Sequence, residues 1–166
     1  MSVGERITTD RKLARLLQIG VVLEEVVEAR AAKHFETLSP DERAAMDPAI
    51  QDLLAEAREE SAEHRGRLED LIDDLDAETV PFEEVQTLVE GQYARTGPED
   101  FDDILYDQFH GEESAYKFYD DLVTAIEEGD ATFSVDREQV ISTLAAIRDE
   151  EEAGVREVTE LMEERV

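Results

Sequence analysis

The chain has 166 residues, with 45 Asp and Glu against 16 Lys and Arg and a formal charge of −29 at pH 7. Such a balance argues against DNA, RNA and anionic lipid as partners, because every phosphate would be repelled. Yet 41% of the residues are hydrophobic and recur periodically, so the composition describes a folded acidic protein of one domain, residues 1–166, with a substantial core.

Only Lys12, Lys33 and Lys117 are lysines; the other basic residues are arginines. A surface rich in carboxylates and poor in lysine fits a salt-rich cytoplasm, where the Debye length is only ~3 Å at 1 M and self-repulsion is screened. The composition is that of a halophile's protein. The absence of cysteine excludes disulfides and thiolate metal sites. The first residues, MSVGERITTDRK, carry no apolar signal core and no run approaches the ~20 apolar residues of a membrane span, so a cytoplasmic location is expected.

In chain order, the first apolar-periodic segment is expected from about Thr9, with Leu13, Leu16, Leu17, Gly20, Val27, Ala31 and Phe35 on its inner stripe, and it stops at Ser39-Pro40. SPDERAAM then reads as a short helix with Ser39 as N-cap and Glu42 as its capping-box partner, and Asp47-Pro48 opens a second long helix reaching about Asp76. Residues 77–100, with Pro81, Gly91 and Gly97-Pro98 around an amphipathic stretch that includes Val85, read as a crossover containing a short helix. A third long helix is expected from about Glu99 to Glu128, a connection at Gly129, and a fourth long helix after Ser134.

The two halves echo one another. EARAAKHFETL from Glu28 overlies EESAYKFYDDL from Glu112 at an offset of 84, and AREESAEHRGRLEDL from Ala57 overlies IRDEEEAGVREVTEL from Ile147 at an offset of 90. A duplicated helical hairpin joined by a long crossover gives an all-α fold, an antiparallel four-helix bundle.

Residues at i±3, ±4 and ±7 share a helix face, which singles out certain carboxylates. Glu28 aligns with Leu17, Val21, Ala31 and Phe35. Glu112 aligns with Leu105, Ala115, Tyr119 and Leu122. His64 shares a stripe with Leu53, Ala57, Glu60, Ser61, Leu68 and Leu71, and Glu151 lies among Leu144, Ile147, Val155 and Val158, with Glu150 just beside. Each long helix thus offers an inward carboxylate, with no arginine or lysine expected opposite. Such groups are costly to bury alone, and a divalent cation would neutralise them; oxygen ligands with a histidine suit iron or manganese.

EESAYKFYDDL resembles the ligand helix of rubrerythrins and of the wider ferritin-like superfamily, and the resemblance extends over roughly residues 10–165. It implies a ferritin-like bundle with a dinuclear iron or manganese site whose ligands fall on Glu28, His64, Glu112 and Glu151. Two positions depart from the pattern: Ser61 stands where a glutamate belongs three residues before His64, and Gly154 where a histidine belongs three after Glu151. Glu60, one turn before His64, is the expected substitute. The family's cysteine-ligated electron-transfer module is missing, so an external electron donor is implied, with O2 or peroxide as substrate and a homodimer or larger homo-oligomer as the assembly. Iron handling or defence against oxidative stress follows as the expected function, by peroxidase or ferroxidase chemistry. A metal-free bundle serving as a structural or partner-binding module is the alternative, and a storage cage or encapsulated ferroxidase is a third. His34 and His110 are expected to be structural, Tyr116 and Tyr119 to be packing residues, and the acidic runs to be solvated surface. No phosphate loop or nucleophile elbow is present.

Overall fold

Proline and short polar side chains set the helix starts. The computed structural model describes residues 7, 9–36, 38–81, 83–85, 87 and 104–164, and among these the regular structure is entirely helical. Helix α1 spans Asp10–Glu36, with the Thr9 hydroxyl accepting from the Lys12 amide. Helix α2, Pro40–Ala45, has the expected capping box: Ser39 Oγ accepts from the Glu42 amide and Glu42 accepts from the Ser39 amide. Helix α3, Pro48–Asp74, is capped by Asp47 and ends two residues before the expected Asp76, where Leu75 turns extended. Leu75 is buried, so leaving the helix lets it enter the core.

Helix α4 spans Ile104–Glu128; its expected start near Glu99 and most of the crossover lie outside the described residues. Gly129 closes it by donating to the Ala125 and Ile126 carbonyls. Helix α5, Arg137–Glu163, takes Asp136 as its N-cap rather than following directly on Ser134. Ser134 ties the connection down instead: its amide donates to Asp10 and its hydroxyl accepts from the Asp76 amide. No described helix is long and apolar enough to cross a membrane.

The core shows how the helices run. One apolar cluster gathers Leu17, Val21, Leu68, Tyr119, Leu122 and Ile147, and a second gathers Ala31, Leu54, Leu105 and Val158. Going along the chain, α1 and α5 pass from the first cluster to the second, while α3 and α4 pass from the second to the first. Helices α1 and α3 therefore form one antiparallel hairpin and α4 and α5 another, with α1 also packed on α4 and α3 on α5. Helices α3 and α4 thus run in the same direction, joined by a connection of which only part is described. Its described part lies along α1: the Gln18 amide side chain bonds both the carbonyl and the N–H of Val80, and Val85 packs on Val22 and Leu23. Between the two apolar clusters the bundle holds a polar layer.

Candidate metal centre

His64 is fully buried at the middle of α3, the one basic side chain buried among the described residues. Each of its ring nitrogens meets a different pair of carboxylates. Nδ1 lies 3.0 Å from Glu151 Oε1 and 3.3 Å from Glu24 Oε1, both on buried side chains. Nε2 lies 2.7 Å from Glu150 Oε2 and 3.6 Å from Glu60 Oε1, both half-exposed. Within each set of three, ligand atoms sit within 4.8 Å of one another, the spacing of donors around one ion.

The inner group is held from behind. The Tyr119 hydroxyl, itself buried, donates to Glu24 Oε1 at 2.7 Å. Gly20 packs closely beside this pair: a Cβ there would lie 3.1 Å from Leu68 and at ordinary contact distance, 3.6 Å, from the Tyr119 hydroxyl. Gln108 Nε2 donates to Glu112 Oε1 at 2.9 Å, and Glu112 and Glu151 are hydrogen-bonded to each other. Glu24 Oε2 is buried with no hydrogen-bond partner, the state that normally costs a carboxylate most.

Burial, opposed by hydrogen bonds from Glu151 and Gln108, raises the Glu112 carboxyl above its usual range. Burial also raises Glu151 far above that range, reinforced by its hydrogen bond to Glu112 and the charge on Glu24. Glu60 is pushed up to about 7, first by burial and then by the Glu112 charge. Burial disfavours a charge on His64, but the hydrogen bonds and charges of Glu24, Glu150 and Glu60 outweigh it and hold its pKa above the ordinary value. In the absence of a metal, protons on Glu151 and His64 would carry the positive charge the three buried carboxyls require.

Of the residues expected from sequence, the structure brings His64, Glu112, Glu151 and Glu60 together and leaves Glu28 aside. Glu28 is half-buried and receives Arg65 Nη1 at 2.9 Å, so an arginine does face it, contrary to expectation. The buried carboxylate of α1 is Glu24, one turn earlier, which lies i+7 from Leu17, i+3 from Val21 and i−7 from Ala31. The same stripe rule admits it alongside Glu28; matching Glu28 to Glu112 through the internal repeat points one turn too far. Glu150 also belongs, through His64 Nε2, and Arg67 supports it at 3.1 Å. Tyr119 packs in the core as expected, with an added role as donor to Glu24. His110 is exposed, and the side chain of His34 is not among those described.

Outside Nε2 lies a groove of about 420 Å³ between α3 and α5, open to solvent and lined by Glu56, Glu59, Glu60, Glu63, Glu150 and Glu157. Gly154 forms part of its wall, and a Cβ built there would fall 2.6 Å from Glu112 Oε2. The glycine leaves the space that the Glu112 carboxylate occupies.

Fold and centre together define a class: an all-helical bundle with a buried carboxylate–histidine group suited to a metal ion. Compared with family models, with curated proteins and with solved structures, the chain matches none.

Proposed function

We propose that this chain is a ferritin-like, rubrerythrin-type bundle that holds iron or manganese on Glu24, His64 and Glu151 and acts on O2 or peroxide, in iron handling or oxidative stress defence. The observation that carries this is the convergence of those three side chains, all buried, with one oxygen of Glu24 lacking any partner. The donor set fits: two carboxylates and an imidazole suit a hard or borderline divalent ion, and the ion would satisfy the orphaned oxygen and offset the burial of charge.

When bound, such an ion supplies one-electron redox chemistry toward O2 or peroxide. The chain's own residues do the rest. Tyr119 fixes the orientation of Glu24, the outer-partner role that metal ligands ordinarily require. Glu112 and Gln108 do the same for Glu151. The apolar clusters on either side keep bulk water from the ligands, while the acidic groove at Nε2 draws cations toward the only buried imidazole of the described residues.

Metal analysis after purification in high salt tests the proposal, followed by ferrous oxidation with O2 or peroxide. A bound redox metal that is lost in Glu24→Gln, together with turnover above that of free iron, is expected. Stable protein that takes up no iron or manganese would favour the second reading, a metal-free bundle whose buried carboxyls are kept protonated, as the raised pKa of Glu151 allows.

A further inference from the structure

The sequence repeat places a partner residue for every ligand of the inner group. At the offset of 84, Glu24 corresponds to Gln108; at the offset of 90, His64 corresponds to Gly154 and Ser61 to Glu151. The residues that would mirror Glu24, His64 and Glu151 are therefore Gln108, Gly154 and Ser61: an amide, a hydrogen and a hydroxyl. From this exchange we infer that the centre is built for one divalent cation per chain, seated at His64 Nδ1, and that its mirror position is closed. The inference rests on the metal-binding reading above and decides how many ions that centre takes.

The structure shows what occupies the mirror position. Gln108 turns its amide nitrogen toward Glu112 Oε1 at 2.9 Å, so it presents a donor where a cation would need an acceptor. The Glu112 carboxylate fills the space that a side chain at residue 154 would need, with its Oε2 2.6 Å from the position of a Cβ. Ser61 is buried, and its short side chain carries no charge. Glu112, whose carboxylate fills that space, is held by Gln108 and Glu151; it acts as a positioning residue for Glu151. On the other side the donors are intact, and the buried oxygen without a partner is there too, on Glu24.

Charge points the same way. The polar layer buries three carboxyls, Glu24, Glu112 and Glu151. With one proton held in the Glu112–Glu151 hydrogen bond, one divalent ion balances the two charges that remain, whereas two ions would leave an excess positive charge in a low-dielectric layer, which is costly.

Mn(II) provides the test, with intact protein in about 1 M KCl, where surface carboxylates bind it least. Titration calorimetry should give one ion per chain, and the paramagnetic resonance spectrum should be the sextet of an isolated Mn(II). Glu24→Gln should weaken binding at least ~10-fold, as loss of a positioned group at a metal site does, while Glu28→Gln should leave it unchanged. Gln108→Glu, which restores a carboxylate to the mirror position, should change the stoichiometry or the spectrum. Two ions per chain in the parent, or a spin-coupled spectrum, would overturn the inference while leaving the metal-binding reading in place. No bound Mn(II) or Fe(II) at all would overturn both.

Discussion

Glu24 has the Tyr119 hydroxyl and the His64 ring on one oxygen and nothing on the other. A hydrogen bond to a charged group contributes about 1.5–3 kcal/mol, so Tyr119→Phe should lower the stability of the metal-free protein by roughly that amount. Urea melts with and without Mn(II) measure it, and the gap should narrow once an ion holds Glu24. Equal melts for parent and variant in the absence of metal would show that the hydroxyl is not needed. Two glycines in helix interiors offer a second comparison. A methyl group added at Gly66 would meet nothing within 4 Å, so Gly66→Ala should gain about 1 kcal/mol of helix propensity, or some 2–4 °C of melting temperature for a domain of roughly this size. Gly154→Ala should forfeit that gain, because its methyl group meets the Glu112 carboxylate and displaces it. A rise in melting temperature as large as that of Gly66→Ala would mean that Glu112 is not confined.

At the scale of helices, arginine is the residue that joins them. Arg30 pairs with Asp107 between α1 and α4, Arg65 with Glu28 between α1 and α3, Arg67 with Glu150 between α3 and α5, and Arg148 with Asp120 between α4 and α5. Every neighbouring pair of long helices thus has a cationic link, which uses four of the chain's 16 basic residues. Arg137 does a different task. Its Nη2 donates to the carbonyls of Ile126 at 2.6 Å and of Glu127 and Gly129 at 3.0 Å each, capping the C-terminal end of α4 from the first turn of α5. The last carbonyls of a helix have no following turn to bond them, and a cation there also suits the helix dipole. Arg137→Ala is expected to cost about 1.5–3 kcal/mol, and hydrogen exchange should show the last turn of α4 opening first. Unchanged protection of residues 125–129 would refute the capping role.

For the whole molecule the main variable is charge. Glu60 has a folded-state pKa of about 7 against an ordinary 4.5, and Glu112 and Glu151 are raised as well. Raised carboxyls favour the folded state when protonated, so their contribution is fully present below pH 4.5 and is lost as pH rises through the folded value. His64, raised above 6.5, follows the same sign. Repulsion among the surface carboxylates also grows with pH, but it is screened when the Debye length shrinks to ~3 Å in 1 M salt. Urea unfolding in about 1 M KCl should therefore still show metal-free protein losing stability from about pH 5 to about pH 8, with a weaker slope in Glu60→Gln. A flat profile in high salt would leave the surface as the sole source of pH dependence. Dilution of the salt at neutral pH should reduce helicity as the −29 charge becomes unscreened, and circular dichroism would read it.

The sequence alone placed the described long helices, and those of their ends that are described to within a few residues, because these depend on neighbours within a turn or two. The Ser39–Glu42 capping box, the Asp47 cap and Gly129 each act through hydrogen bonds to backbone a few residues away. The two-hairpin arrangement was legible for a similar reason, since the apolar stripes and the repeat leave few ways to bury them. His64, Glu112 and Glu151 could be placed near one another because they sit mid-helix on those stripes. What the stripe could not decide was which of two acidic residues a turn apart faces inward: Glu24 and Glu28 both satisfy it. Tertiary packing made that choice, by supplying Arg65 beside Glu28 and the Tyr119 hydroxyl and His64 beside Glu24. Nor does spacing reveal that Gly154 yields its side-chain space to Glu112. Such assignments depend on side chains as many as 95 residues apart in the chain, and only the assembled bundle brings those into contact.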